Sequence, residues 1–454
     1  MYWANFLHIY QPPTQKEIWI KRITDESYRK LLGGLLKVKR ARLTLNINGV
    51  LCDFLAKYGG EDVLDMINAL LKAGIIELTG SAKYHAFLPL LPEAEIERQI
   101  LLNEESLKKY FGVHWKKQGF FSPEMAYSKS VATVAARLGY HWLIMDEMGF
   151  PAGHQFAPDK IFDIKGLDNF SVFFRERAAS FKISGAQLGS HKVIISHHGE
   201  RVKKNEYLVT AMDGEIFGHH RPGLETLLFD LYNEAAIEPA MVSDLINLFP
   251  KRETIEPRES NWAVNKNDLK EGRPFARWKR DDNAVQVRQW KLTELALAAA
   301  HRDPSEKKLR AALDAALHSD QYWWASVRPW WSLEMIERGA HELRRIVLES
   351  KTATAKEKAE AEELYKEIIY TGFEWQRSGY VDELSRHEDE EVQQRLEEKE
   401  KFFITKDEYQ HMIQTIEEQM EVAAKNREYH RAGALQERIR ELKEEMKKHH
   451  GTTT

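Results

Sequence analysis

The stretch TAMDGEIFGHH, Thr210 to His220, runs apolar and strand-like, then packs Asp213, Gly214, Glu215, His219 and His220 into a few residues. A tight turn needs one Asp and one Gly, so the second acid and both histidines are surplus to it. Another acid, Glu124, stands in GFFSPEMAYS (119–128), again just past an apolar run. Two facing carboxyl groups are the minimum equipment for breaking a glycosidic bond: one, ionised, attacks the anomeric carbon, and the other, protonated, donates to the leaving oxygen. Keeping an acid protonated near neutral pH takes burial or a like charge nearby, and Glu215 is placed to supply that charge to Asp213. Ser122-Pro123-Glu124 also reads as an ordinary helix start, with Ser as N-cap and Pro at the first helical position.

A competing chemistry uses the same residue types. Asp213, Glu215, His219 and His220 are all competent zinc ligands, which allows a metal-dependent glycan hydrolase or deacetylase. Against it, the first strand ends His8-Ile9-Tyr10 rather than His-x-Asp, there is no HExxH, and Cys52 is the lone cysteine.

Positioning such groups requires a frame. β-rich runs at 2–8, 42–47, 75–80, 119–122, 141–146, 170–175 and 207–213 alternate with helical patterns, and VIIS near 193 is an eighth, accessory candidate. The run from Glu61 to Lys72 spaces Val63, Leu64, Ile67, Leu70 and Leu71 as a helix does. Strand and helix in alternation predict a parallel sheet, open or closed into a barrel. Most strands end in a polar group: His8, Asn48, Glu124, Asp146, Arg175 and Asp213, with His85 shortly after the third. In a parallel barrel these ends converge on one face. Arg175 is placed either to steady Glu124 or to form a salt bridge between domains.

Beyond about residue 225 the pattern turns helical. Seven tryptophans, Trp262, Trp278, Trp290, Trp323, Trp324, Trp330 and Trp331, fall in two segments there. They serve either as core or, for Trp323 and Trp324 above all, as stacking platforms for sugar rings. Residues 382–402 are a charged linker. Residues 403–448 carry a heptad-like seam through Tyr409, Met412, Ile413, Ile416, Met420, Leu435, Ile439, Leu442 and Met446, predicting a two-helix antiparallel hairpin. With net charge −4, 43% hydrophobic residues and one cysteine, the chain is expected to be cytoplasmic, to bind no nucleic acid and to engage no membrane.

LHIYQPP (7–13), LTGSAKYHAFLPLLP (78–92), GFFSPEMAYS, AMDGEIFGHH and SDQYWW (319–324) resemble, in order and spacing, the five motifs of glycoside hydrolase family 57. The resemblance implies an α/β fold: a (β/α)7 catalytic barrel (1–250) whose cleft is completed by a C-terminal helical domain (251–381). It implies retaining hydrolysis or transglycosylation of α-glucans or maltooligosaccharides, with neither metal nor organic cofactor. Position by position, Glu124 matches the nucleophile and Asp213 the general acid/base. His8, Gln11, His85, Asp320 and Trp323 match substrate-holding positions, and Tyr10 stands where the family usually has a second histidine. Glu215, His219 and Trp324 are expected to join them. The terminal segment 417–446 resembles the UVR motif, a helical hairpin found in nucleotide excision repair proteins, with Gly433-Ala434 in place of the usual Ala pair. That implies self-association or a protein partner, and leaves open a scaffold reading in which the barrel is catalytically weak.

Overall fold

The computed structural model describes residues 1–184, 191–302, 305–328, 330–386, 406–425, 427 and 429–450; most of the charged linker lies outside the described residues. The strands are β1 (Tyr2–Ile9), β2 (Leu43–Ile47), β3 (Ile76–Leu78), β4 (Gly119–Phe120), β5 (Trp142–Asp146), β6 (Ile161–Ile164), β7 (Ser171–Arg175), β8 (Tyr207–Asp213), β9 (Glu238–Pro239) and β10 (Arg252–Ile255). All seven expected strands form, some shorter than their apolar runs. VIIS does not: its backbone lies in the helix His191–His198. Three strands went unread, β6, β9 and β10, of which β9 and β10 fall in the half expected to be helical.

The strands make two sheets. One runs β3-β2-β1-β8 with β9 against the start of β1, and the other runs β10-β6-β7-β5-β4. Every pairing is parallel except β6 with β7. At one seam Gly80 bridges Phe120, with Gly80 N–H to Gly119 O and Phe121 N–H to Gly80 O both at 2.9 Å. At the other, Glu176 N–H donates to Val209 O at 2.8 Å.

Strand periodicity sorts the side chains. In β1, Trp3, Leu7 and Ile9 enter one core cluster while Ala4 and Phe6 enter another. In β8, Leu208 and Met212 join the first of these, and Val209 and Ala211 the second. His8 and Asp213 therefore continue the Ala4–Phe6 and Val209–Ala211 face, and the register pairs them directly, His8 opposite Asp213. Both faces of these strands are covered, which is why they read as near-continuous apolar runs.

Helices Ala284–Arg302, Lys307–Ala316, Leu333–Glu349 and Ala355–Ser378 follow. The last opens with a capping box: Glu357 N–H donates to Thr354 Oγ1 at 3.2 Å and Thr354 N–H to Glu357 Oε2 at 2.8 Å. Leu292, Leu313, Ile336, Leu343 and Ile368 from these helices share a cluster with Phe6 and Phe121, so the helical half rests on the same core that lies beneath His8. The hairpin forms as helices Lys406–Lys425 and Tyr429–His450 around Tyr409, Ile413, Ile416, Ile439 and Leu442.

Candidate active site

Glu124 does not start an α-helix; Ser122 and Pro123 open only the 3₁₀ turn Pro123–Met125. Ser122 makes no capping bond, and Glu124 sits in the left-handed region at φ 61° within a one-turn 3₁₀ segment. The α-helix begins at Lys129, capped by Ser128 accepting from Val131 N–H. A left-handed L-residue costs on the order of 1–2 kcal/mol, and such strain persists only where the surroundings impose it. The local bonds do so: Trp262 N–H donates to the Glu124 carbonyl at 3.1 Å, and Trp262 Nε1 to its Oε2 at 2.8 Å. Ser319 Oγ donates to Oε1 at 3.2 Å.

The rest of the cluster is built around that carboxyl. His85, also left-handed at φ 57°, lies 3.8 Å from Glu124 Oε1 through Nδ1 and 2.9 Å from Ser319 Oγ. Since the Ser319 hydroxyl proton goes to Glu124, His85 Nδ1–H donates to Ser319, leaving Nε2 as a buried acceptor with no partner. Burial holds this imidazole down to about 4, so it is neutral across the physiological range. Tyr10 stacks on His85 at 4.0 Å and 15°, with His8 5.0 Å away on its ring. His8 Nδ1 meets Asn46 Oδ1 at 2.8 Å, and Asn46 donates onward to Thr79 at 3.0 Å. Tyr10 OH donates to Asp320 Oδ2 at 2.7 Å, and His318 Nδ1 reaches the same oxygen at 3.0 Å. Burial works to raise Asp320, but His318, His85 and the Tyr10 bond together hold that carboxyl below its usual value.

Asp213 ends β8 beside His8. Gly214 follows because a Cβ there would stand 2.4 Å from Ile9 Cγ2. Among the described residues no side chain donates a hydrogen bond to Asp213. Burial pushes it up to about 6 against the pull of the Arg175 charge. Glu124 is pushed up to about 8 by burial, then by the charges of Asp320 and Asp213, against the Trp262 and Ser319 donors.

Glu215 plays a different part from the one expected. It is not what raises Asp213; the influence runs the other way, burial first and the charge of Asp213 second lifting Glu215 to about 7. Its Oε1 is an anchor that accepts from Tyr28 OH at 2.5 Å, Tyr10 N–H at 3.0 Å and Gln11 Nε2 at 3.4 Å, holding the segment that carries Tyr10 and Gln11. His219 turns away from Asp213, with Nδ1 2.6 Å from Glu26 Oε2. Trp323 and Trp324 are half-buried beside Asp320, with Trp323 against Trp278 at 5.1 Å and Trp324 edge-on to Trp330 at 5.7 Å.

Arg175 reaches Glu124 indirectly. It donates to Asp146 Oδ2 at 2.7 Å, Ala211 O at 3.1 Å and Trp262 O at 3.0 Å. Trp262, Ser319 and His318 went unassigned in the sequence; Ser319 opens the Asp320 motif and His318 precedes it, while Trp262 stood out only as one of several tryptophans. Among the described residues no three His, Cys, Asp or Glu side chains converge to hold a metal ion, and no helix is long and apolar enough to cross a membrane.

Buried carboxyls, neutral imidazoles and a phenol gathered at the C-terminal ends of parallel strands define the class, a dicarboxyl site on an α/β frame. The family model of glycosyl hydrolase family 57 matches residues 6–257, and the chain belongs to that family. An α-amylase of Pyrococcus horikoshii is 26% identical over 149 residues, which span 32% of this chain and only 23% of that relative. The fold is similar to a family 57-type branching enzyme of Pyrococcus horikoshii, with TM-score 0.61 and 18% identity, covering 82% of this chain and 96% of that one. It is also similar to a 4-α-glucanotransferase of Thermococcus litoralis, with TM-score 0.58 and 16% identity, covering 76% and 58% respectively.

Proposed function

We propose that the protein is a retaining α-glucan hydrolase or transglycosylase, with Glu124 as nucleophile and Asp213 as general acid/base. The observation that carries the reading is the contrast between the two carboxyls: Glu124 has a donor on each oxygen, while Asp213 faces the site with none. Donors on both oxygens favour a carboxylate; an undonated acid at a strand end is free to give its proton to a leaving oxygen. Two effects pull apart here, because burial and neighbouring charges bring Asp213 to about 6 and Glu124 to about 8. Near neutral pH the pair therefore carries one proton, which these values place on Glu124, and the reactive form is the one with that proton on Asp213. The donor geometry decides the roles: two donors favour Glu124 as a carboxylate, and among the described residues Asp213 has none.

In the first step Glu124 attacks the anomeric carbon as the shared proton passes from Asp213 to the departing glycosidic oxygen. In the second, Asp213 takes a proton from water or from a sugar hydroxyl, which displaces Glu124. Water gives hydrolysis, and a sugar hydroxyl gives transfer. Tyr10, His8, His85, Gln11 and Asp320 hold the sugar, the free Nε2 of His85 accepting from a hydroxyl, and Trp323 and Trp324 stack on its rings. His219 borders the cleft with its Nδ1 occupied by Glu26. The two seams support a seven-membered ring of β1, β2, β3, β4, β5, β7 and β8, with the helical segment 251–381 over its mouth. The hairpin, an appendage on this account, is a surface for self-association or a protein partner.

The test is product analysis on maltoheptaose and amylopectin for the wild type, Glu124→Gln and Asp213→Asn. Shorter sugars mean hydrolysis, and longer or newly branched ones mean transfer. Both variants lose activity on this account; a wild type that leaves both substrates untouched sinks it.

A further inference from the structure

The aromatic rings continue beyond the cleft. Trp323 meets Trp330 at 6.3 Å, and Trp330 is 45% exposed. Its neighbour Trp331 lies against Trp375 of the helix Ala355–Ser378 at 5.9 Å, and Trp375 against Tyr380 at 5.2 Å, itself 38% exposed. Trp331 and Trp375 rest on the main core yet stay only partly buried, so each is a supported ring with uncovered surface. Gly372 leaves room for this seating, since a Cβ there would stand 2.7 Å from Leu333 Cδ1 and 3.7 Å from Trp331 Cζ2.

The turn that presents Trp330 is strained. Val327, a β-branched residue, sits at φ 59° and donates its N–H to Trp330 O at 2.9 Å. A valine in the left-handed region is an outlier, and the residue that accepts its N–H, Trp330, is left exposed. Along the strip Trp331 Nε1 donates to Gln376 Oε1 at 3.3 Å, and Arg377 is paired with Glu374. Supported rings with an amide edge, continuing from Trp323 in the cleft, suit an uncharged polyhydroxyl chain, whose C–H faces stack and whose hydroxyls find the rim.

We propose that Trp330, Trp331, Trp375 and Tyr380 form a track that holds an α-glucan chain outside the cleft and leads it to Trp323 and Trp324. The proposal rests on the reading of the cleft as an α-glucan site. The track makes long glucans better substrates than short ones through binding, and leaves the chemistry at Glu124 untouched.

The test compares the full-length wild type with Trp375→Ala/Tyr380→Ala and with Trp375→Phe/Tyr380→Phe. Binding is read by retardation in amylopectin gels on the Glu124→Gln background, and kinetics by kcat and KM on amylopectin and maltopentaose. The alanine pair should bind and engage amylopectin about tenfold more weakly, ~1.4 kcal/mol, with kcat and the maltopentaose constants unchanged, and the phenylalanine pair should restore most of the loss. Unchanged amylopectin binding in the alanine pair overturns the track while leaving the cleft reading intact. An equal loss on both substrates makes the rings structural and also overturns it. A wild type that neither binds amylopectin nor acts on any α-glucan removes the cleft reading, and the track with it.

Discussion

Trp262 grips Glu124 twice, through its indole N–H to Oε2 at 2.8 Å and its backbone N–H to the carbonyl at 3.1 Å. One residue thus fixes both the strained backbone of the carboxyl and the oxygen that would otherwise be free to turn. The carbonyl of the same tryptophan is held by Arg175, a buried cation whose charge also acts on Asp213. Glu124 and Asp213 are thus linked through Trp262 and Arg175.

The first prediction concerns pH. If the singly protonated pair is the active form, kcat/KM on an α-glucan should be bell-shaped, with limbs near about 6 and about 8. Below the lower limb both acids are protonated and no nucleophile exists; above the upper one both are ionised and no proton is available. A profile flat from pH 5 to 9 contradicts this.

Trp262→Phe keeps the ring and removes the indole donor. Loss of a bond to the charged form raises the Glu124 pKa, so the alkaline limb should move to higher pH. The rate should fall about tenfold to a hundredfold, as expected for losing a charge-assisted bond of about 1.5–3 kcal/mol. Rate–pH profiles of the variant beside wild type check both.

At Arg175 charge and geometry separate. Arg175→Lys keeps the cation and loses the fork, so the acid limb should stay in place while kcat drops as Trp262 loosens. Arg175→Met also removes the charge that lowers Asp213, so the acid limb should move up. It strips one of two cationic partners from the fully buried Asp146, which keeps Arg177 at 3.0 Å, so Tm should also fall.

Glu215 gives a stability test with a definite sign. Its pKa is raised by folding, to about 7, so its contribution is fully present below the unfolded value and is lost as pH rises through 7. Glu215→Gln keeps an acceptor for Tyr28, Tyr10 and Gln11 and carries no charge. Its Tm relative to wild type should therefore be higher at pH 8 than at pH 5. A difference that is constant or reversed between the two would refute the assignment.

Much of this was legible in the chain because the strands are long apolar runs with polar ends, and because Glu124, Asp213, His85 and Asp320 sit in short ordered motifs. What escaped has physical reasons. β9 and β10 are short and partly exposed, so they carry no apolar run. VIIS is β-rich in composition yet lies in a helix, where neighbours rather than propensity decide. Ser122-Pro123-Glu124 has the letters of a helix start, and no local rule reveals that Trp262, 138 residues away, holds Glu124 left-handed. Glu215 looked like a tuning charge because sequence distance was visible and Tyr28 was not.

The central claim is that Glu124 carries the sugar. The most direct measurement is mass spectrometry of the protein, and of the Asp213→Asn variant, after reaction with a 5-fluoro-α-glucosyl fluoride, followed by peptide mapping. The account predicts one glucosyl adduct, on the peptide containing Glu124, accumulating most in the variant that cannot activate water. An adduct on Asp213 in the wild type, or inversion of the anomeric centre with no adduct, would contradict it.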